Sequence, residues 1–386
     1  MCSRTQTNIS SILDISIKKK KIIKALVLLD RKKGHANIAK GLLNALSSRT
    51  EVDTCYLKLR KTGSHGSKLF QKMWPFGIHL AKYFLQSQIN FNSPGLPNVV
   101  IGSGGNMLWP TAALARSYNA TSIFCGSKRH LPTGAVDLLL HCDPSKEKSE
   151  GSIILPIIPS VTNPIKCREE WALFRDEHAI SSSERHFTCL IGGNGGGYVW
   201  ADKDYYNLAN QMLMLSKKHG IKWLITSSRR TAPSAYQIFD KILPRNVIQD
   251  DCWVHKNDRR PVMNAYLGGG EVIYVTEDSC SMLHESIACN KAVVSVRPKK
   301  GSIDATLLTF LQSAEAKGWI MRCPADNMIS EVKDISLHEE NIFNSTGELI
   351  MKKIDHNMGI QTESKRSQSF QESNPASNSW SGFASR

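Results

Sequence analysis

The sequence predicts an α/β protein made of two tandem Rossmann-like domains, each a parallel sheet flanked by helices, facing one another across a cleft. Three observations carry that prediction. Short apolar, β-branched runs alternate with longer amphipathic ones. The alternation runs twice, once on each side of a proline-punctuated stretch. A chain of 386 residues is also too long for one ordinary core.

Residues 1–20 are polar and read as a disordered N-terminus, and the N-terminal domain spans 21–160. Its first strand is the apolar run 25–29. A glycine-containing turn follows, then a helix marked by Ile38, Leu42 and Leu46 at i, i+4 spacing. Further strands are expected at 54–57, 98–101, 121–125, 136–140 and 153–155. Pro156, Pro159 and Pro164 mark an interdomain linker. The C-terminal domain spans 161–350, with strands at 187–191, 221–226, 272–275 and 292–296. Its helix from Tyr205 closes on Lys217, Lys218 and His219 before a Gly220 stop. From 351 to 386 Ser, Asn, Gln and Glu dominate, which reads as a disordered tail.

Apolar residues make up 41% of the chain and charged ones 22%, as in soluble globular proteins. The 49 basic against 34 acidic residues leave a net charge of +15, a field that favours phosphates, nucleic acid or an acidic membrane surface. No arginine-rich block with interleaved aromatics is present, which argues against nucleic acid. The 10 cysteines form no CxxC pair, so neither a zinc site nor a disulfide framework is expected, and the compartment reads as reducing. No apolar run reaches the roughly 20 residues that span a bilayer. Lys18 to Lys21 and Lys24 break up the only hydrophobic stretch near the N-terminus, so the expected location is the cytoplasm.

Open parallel sheets bind ligands beyond the carboxyl ends of their strands, so the strand-exit turns are where chemistry is expected. The first turn carries Gly34, His35 and Asn37. Histidine suits a general base and glycine lets a backbone approach a ligand, while capping explains the same residues structurally. The second runs from Gly102 to Asn106, either cradling a substrate group or closing a tight turn before a helix near Pro110. The third, Gly192-Gly193-Asn194-Gly195-Gly196-Gly197, reads as backbone amides aimed at phosphate, with a loose loop as the alternative. Asp202 and Asp204 just beyond it match a metal-binding DxD formally, but they open a helix and are read as capping; no metal site is assigned. The fourth turn offers Ser227, Ser228, Arg229 and Arg230 to an anion, with a surface turn bearing two solvated arginines as the alternative. The fifth places hydroxyls at a helix start, from Thr276 through Ser279 and Ser281, with Glu285 one turn in. A carboxylate there suits a pair of ribose hydroxyls, and an ordinary N-cap is the alternative.

Those five turns, in this order, resemble the elongated-mitochondria (mitochondrial fission) family of plants and bacteria. The resemblance covers about residues 25–300 and is most specific in Thr226 to Thr231 and in Val275 to Met282 followed by Glu285. It departs where Arg31 follows Asp30, a position often glycine, and in the richness of the glycine loop. The Lys- and Ile-rich composition points to a bacterial member. The family is in turn similar to two-domain (GT-B) glycosyltransferases. That similarity implies Ser279, Ser281, Arg229, Gly192 and Gly193 as phosphate contacts, Glu285 as ribose contact and His35 as base. Gly34, Asn37, Gly102 and Asn106 are implied as acceptor or sugar contacts.

Two functions follow from the resemblance. One is sugar transfer from a nucleotide-sugar, without metal or further cofactor, to an acceptor that includes lipid-linked ones. The aromatic and basic stretches at 69–76 and 82–85 would then meet an anionic membrane surface, unless they pack as a core helix. The other is a non-catalytic adaptor that recruits a dynamin-related GTPase to a membrane.

Overall fold

The computed structural model describes residues 22–30, 32–58, 91–92, 94–142, 151–331, 346–352 and 354–356. The expected disordered N-terminus, most of the expected tail and the stretches 69–76 and 82–85 lie outside them.

The N-terminal sheet contains β1 (Ile23–Leu29), β2 (Val52–Lys58), β3 (Val99–Ser103), β4 (Thr121–Cys125), β5 (Leu138–His141) and β6 (Ser152–Ile154). All pair in parallel in the order β2-β1-β3-β4-β5-β6. The alternation along β1 supplies both faces: Ala25 and Val27 join one core, Leu26 and Leu28 the other. Helix α1 (Lys33–Ser47) follows β1, and α2 (Leu108–Tyr118) follows β3.

The C-terminal domain opens with α3 (Pro164–Glu177). Here Pro164 is the first helical residue and Asn163 Oδ1 accepts from the Lys166 amide at 2.9 Å, so the last linker proline starts a helix. The remaining elements are β7 (His186–Ile191), β8 (Tyr198–Val199), α4 (Asp202–His219), β9 (Lys222–Ser227), α5 (Pro233–Ile242), β10 (Ile248–Cys252), α6 (Met263–Gly269), β11 (Val272–Thr276), α7 (Cys280–Ala288), β12 (Ala292–Arg297), β13 (Lys300–Gly301), α8 (Ala305–Ala316) and β14 (Met321–Pro324). Six of the strands form a parallel sheet in the order β10-β9-β7-β11-β12-β14, and β8 pairs antiparallel with β13. Counted within the domain, that order is 3-2-1-4-5-6, in which the chain reverses direction across the sheet between β7 and β11.

The domains meet through the linker. The Ile158 amide donates to His284 Nδ1 at 3.2 Å and Thr162 Oγ1 to Asn264 Oδ1 at 3.0 Å. A cavity of about 250 Å³ lies at this junction, between Leu155 and Pro156 on one side and Phe310 and Lys317 on the other. The C-terminal boundary needs correcting. The helical residues 346–352 return to the N-terminal domain, where Ile350 and Ile354 are fully buried in the core that holds Ala39, Leu42 and Leu46. Gly347 sits so close to the Ala45 carbonyl that a Cβ there would be 2.3 Å from its oxygen. The stretch expected to be a tail from 351 therefore begins as core, because its apolar residues recur at i, i+4. Among the described residues no helix is long and apolar enough to cross a membrane.

Candidate functional site

In the N-terminal sheet the chain reverses between β1 and β3, and the turns after those two strands meet. Asp30 ends β1 and is buried, with 6% of its side chain exposed. His35 lies in the first turn of α1, a third exposed. Asp30 Oδ2 and His35 Nδ1 are 2.6 Å apart. An ionised carboxylate only accepts, so Nδ1 carries the proton and, in the neutral ring, the lone pair is on Nε2. The turn after β3 fixes the ring from the other side. Gly104, at φ +88°, lies so close that a Cβ would sit 2.1 Å from His35 Nδ1. A Cβ on Gly34, by contrast, would meet nothing within 4 Å; this glycine leaves space open at the helix start rather than serving packing. Asn37 and Asn106 are half-buried near these turns. Gly102 is buried in β3, and Thr111 Oγ1 would be 2.0 Å from its Cβ, so it allows α2 to pack closely on the strand.

In the C-terminal sheet the turns after β7, β9 and β11 converge on Asp278, whose side chain is fully buried. Its Oδ2 accepts from the Gly193 amide at 2.9 Å and from Arg230 Nη2 at 2.7 Å. Burial pushes this carboxyl up, against the opposing pull of Arg230, Thr276 and the Gly193 amide. Oδ1 is buried without a partner among the described residues. Thr276 Oγ1 accepts from the Gly192 amide at 2.6 Å. The glycine loop is therefore neither loose nor a row of outward amides. Its first two amides turn inward, and its glycines are required by close packing. A Cβ on Gly192 would lie 2.2 Å from Asp278, and one on Gly193 would lie 2.0 Å from the Arg230 carbonyl oxygen. The amides of Gly196 and Gly197 have no partner among the described residues and lie at the surface.

Ser279 is the N-cap of α7 and Ser281 lies exposed in its first turn; neither hydroxyl makes a cap bond, and the first-turn amides lack intrahelical acceptors. Glu285 is half-buried, desolvation alone pushes its carboxyl up to about 7, and no described residue bonds it. His284 beside it faces the linker, pushed down to about 3 by burial and therefore neutral. Arg229 and Arg230 are both exposed; Arg229 bonds no described residue, whereas Arg230 lies on the loop, its Nε 2.9 Å from where a Gly195 Cβ would be. Sequence reasoning placed both arginines in this turn but assigned the phosphate contact to Arg229, and it did not pair Asp30 with His35. Glu277, fully buried, works as a strut. It accepts from Ser295 Oγ at 2.9 Å, Arg322 Nε at 2.8 Å and the Tyr198 hydroxyl, tying β11, β12 and β14 to the β8 hairpin.

The two halves face each other. Cys142, just after β5, lies within electrostatic range both of Cys125 at the carboxyl end of β4 and of Cys280 at the start of α7. Among the described residues no group of His, Cys, Asp and Glu is arranged to hold a metal ion.

The chain belongs to the mitochondrial fission ELM1 family, whose model matches residues 33–341. No curated protein matches it. Among solved structures, the UDP-GlcNAc 2-epimerase of Methanocaldococcus jannaschii superposes with a TM-score of 0.51 at 10% identity, over 87% of this chain and 100% of that one. The UDP-GlcNAc 2-epimerase of Neisseria meningitidis bound to UDP-GlcNAc gives 0.48 at 12%, over 86% and 99%. The ADP-heptose LPS heptosyltransferase II of E. coli gives 0.44 at 11%, over 86% and 99%. The likeness is one of fold, and the architecture is the two-domain GT-B arrangement expected from the sequence.

Proposed function

We propose that this member of the ELM1 family binds a nucleotide-sugar at the β7–β11 reversal of its C-terminal domain and transfers the sugar to an acceptor held by the N-terminal domain. The Asp30–His35 pair is the observation that carries this reading. A surface adaptor has no use for a buried carboxylate that fixes the tautomer of a partly exposed histidine at a strand exit. In the reaction, an acceptor hydroxyl gives its proton to His35 Nε2 as its oxygen bonds the anomeric carbon. The bond from that carbon to the diphosphate breaks, and the nucleoside diphosphate leaves. Arg230, the first-turn amides of α7 and the amides of Gly196 and Gly197 would stabilise the leaving charge, with Ser279 and Ser281 as hydroxyl donors. Glu285, which no described residue bonds, suits the ribose hydroxyls.

The test is to incubate the purified protein with UDP-, GDP-, CMP- and ADP-sugars and measure both binding and slow donor hydrolysis. Binding of one nucleotide class with hydrolysis above background supports the enzyme reading. Absence of all binding at millimolar concentration overturns it in favour of a scaffold that docks partners at a membrane.

A further inference from the structure

The loop after β4, Gly126-Ser127-Lys128-Arg129-His130, is not used by the reaction above. β4 pairs with β3 and β3 with β1, so this loop lies beside the Gly104–Asn106 turn and one strand from the Asp30–His35 pair. Two adjacent glycines of that turn seat two side chains. A Cβ on Gly104 would meet His35 Nδ1 at 2.1 Å, and one on Gly105 would meet Arg129 Cζ at 2.2 Å and Nη2 at 2.3 Å. Since consecutive Cα atoms are 3.8 Å apart, the imidazole and the guanidinium lie within about 10 Å of each other.

Arg129 reaches that place through an unfavourable backbone, at φ +48° without being glycine. Its guanidinium forms no ion pair with any described carboxylate. Exposed Lys128 and His130 flank it, and exposed Lys32 adds a further basic side chain on the turn after β1. The described acidic residues nearby are committed: Asp30 to His35, and Asp137 to the Ser122 amide and hydroxyl at 2.8 and 2.6 Å. A planar five-donor fork laid over a glycine turn, without a carboxylate partner among the described residues, matches a phosphate group.

We infer that Arg129, seated on Gly105 and flanked by Lys128 and His130, binds a phosphate on the acceptor, placing the attacked hydroxyl at His35 about one sugar ring away. This rests on the transfer reading for the hydroxyl, but the phosphate site itself does not need it. The phosphate belongs either to a soluble sugar phosphate or to a lipid headgroup.

Three measurements on the full chain test this. Titrations with glucose 1-phosphate, glucose 6-phosphate and glucose compare phosphate-bearing and neutral ligands in wild type, Arg129→Ala and Arg129→Lys. Flotation with phosphatidylcholine vesicles, with and without phosphatidic acid, tests the lipid source. Nucleotide binding is measured in parallel on the same variants. A hexose phosphate should bind at least roughly 10-fold more tightly than glucose, with that margin lost in Arg129→Ala, partly kept in Arg129→Lys and weakened by salt. Arg129-dependent flotation only with phosphatidic acid supports the same site with the phosphate on a lipid. Equal phosphate binding by wild type and Arg129→Ala in both formats overturns the inference. Loss of nucleotide binding in wild type would instead overturn the transfer reading and leave this site standing.

Discussion

Arg230 donates to the buried Asp278 carboxylate at 2.7 Å, so the cation nearest the glycine loop is held by an anion the protein itself supplies. A diphosphate arriving at the loop must compete with that carboxylate for the guanidinium. Asp278→Asn keeps an oxygen for the Gly193 amide but removes the competing charge. At several ångströms in a half-buried site, such a charge acts on a phosphate with about 1–2 kcal/mol. Calorimetry should find nucleotide binding roughly 10-fold tighter in Asp278→Asn and roughly 10-fold weaker or worse in Arg230→Ala. Equal weakening in both would show that Asp278 serves the ligand instead of opposing it.

The Asp30–His35 pair makes a prediction about rate rather than affinity. Asp30→Asn and His35→Ala should each lower donor turnover by about 10²–10⁴-fold while leaving the nucleotide Kd within about twofold. Gly104→Ala should do the same through a clash, because its Cβ would push the ring off Asp30. Parallel loss of nucleotide affinity in these variants would count against the assigned division of labour.

Glu285 gives a pH signature. Its carboxyl, ordinarily near 4.5, is pushed up to about 7, so between those values the folded chain holds a proton that the unfolded chain releases. Stability contributed at this site therefore falls as pH rises from about 4.5 to 7 and is level above that. Glu285→Gln removes the penalty. Urea melts should show the variant more stable than wild type by about 1–2 kcal/mol at pH 8, with no advantage at pH 4.5. Glu285→Ala should also weaken nucleotide binding, since it deletes the ribose acceptor. A pH-independent difference between Gln and wild type would rule out the buried-carboxylate account.

The Glu277 strut predicts an asymmetry in stability. Arg322→Ala leaves a carboxylate fully buried without its counter-charge, which costs about 3–5 kcal/mol. Replacing both partners, as in Glu277→Gln with Arg322→Met, should recover much of that loss in the urea midpoint. If the double variant is as unstable as Arg322→Ala, the strut acts through packing and not charge.

What the sequence revealed follows burial. The interior strands of both sheets are apolar runs covered on both faces, and β1, β3, β4, β7, β11 and β12 all lie near their expected positions. The edge strands β10 and β14 were not legible. β10 carries Asp250 and Asp251, whose carboxylates serve Arg260, Tyr266 and Trp253. β14 carries Arg322 for Glu277 and ends in Pro324. Polar residues that pair across the fold look like a loop in one dimension. The site divides in the same way. His35, Ser279 and Glu285 stand out by residue type and spacing. The choice between Arg229 and Arg230 depends on which side chain the turn after β9 lays over the loop, and spacing does not encode it. Asp30 was within reach, as a carboxylate closing a strand five residues ahead of a histidine. The glycine loop misled because its glycines serve contacts with Asp278 and the Arg230 carbonyl, partners 30 to 90 residues away in the chain.

The return of Ile350 and Ile354 into the first domain has a consequence for the order of synthesis. A ribosome completes every strand of the second sheet before it delivers the residues that seal the groove over Ala39 and Leu42. The half made first is thus finished last, while the half made second is contiguous and able to close by itself. A chain terminated after Ser345 should keep slow amide exchange in β7 and β11 and lose it first in β1 and α1, although those segments were translated hundreds of residues earlier.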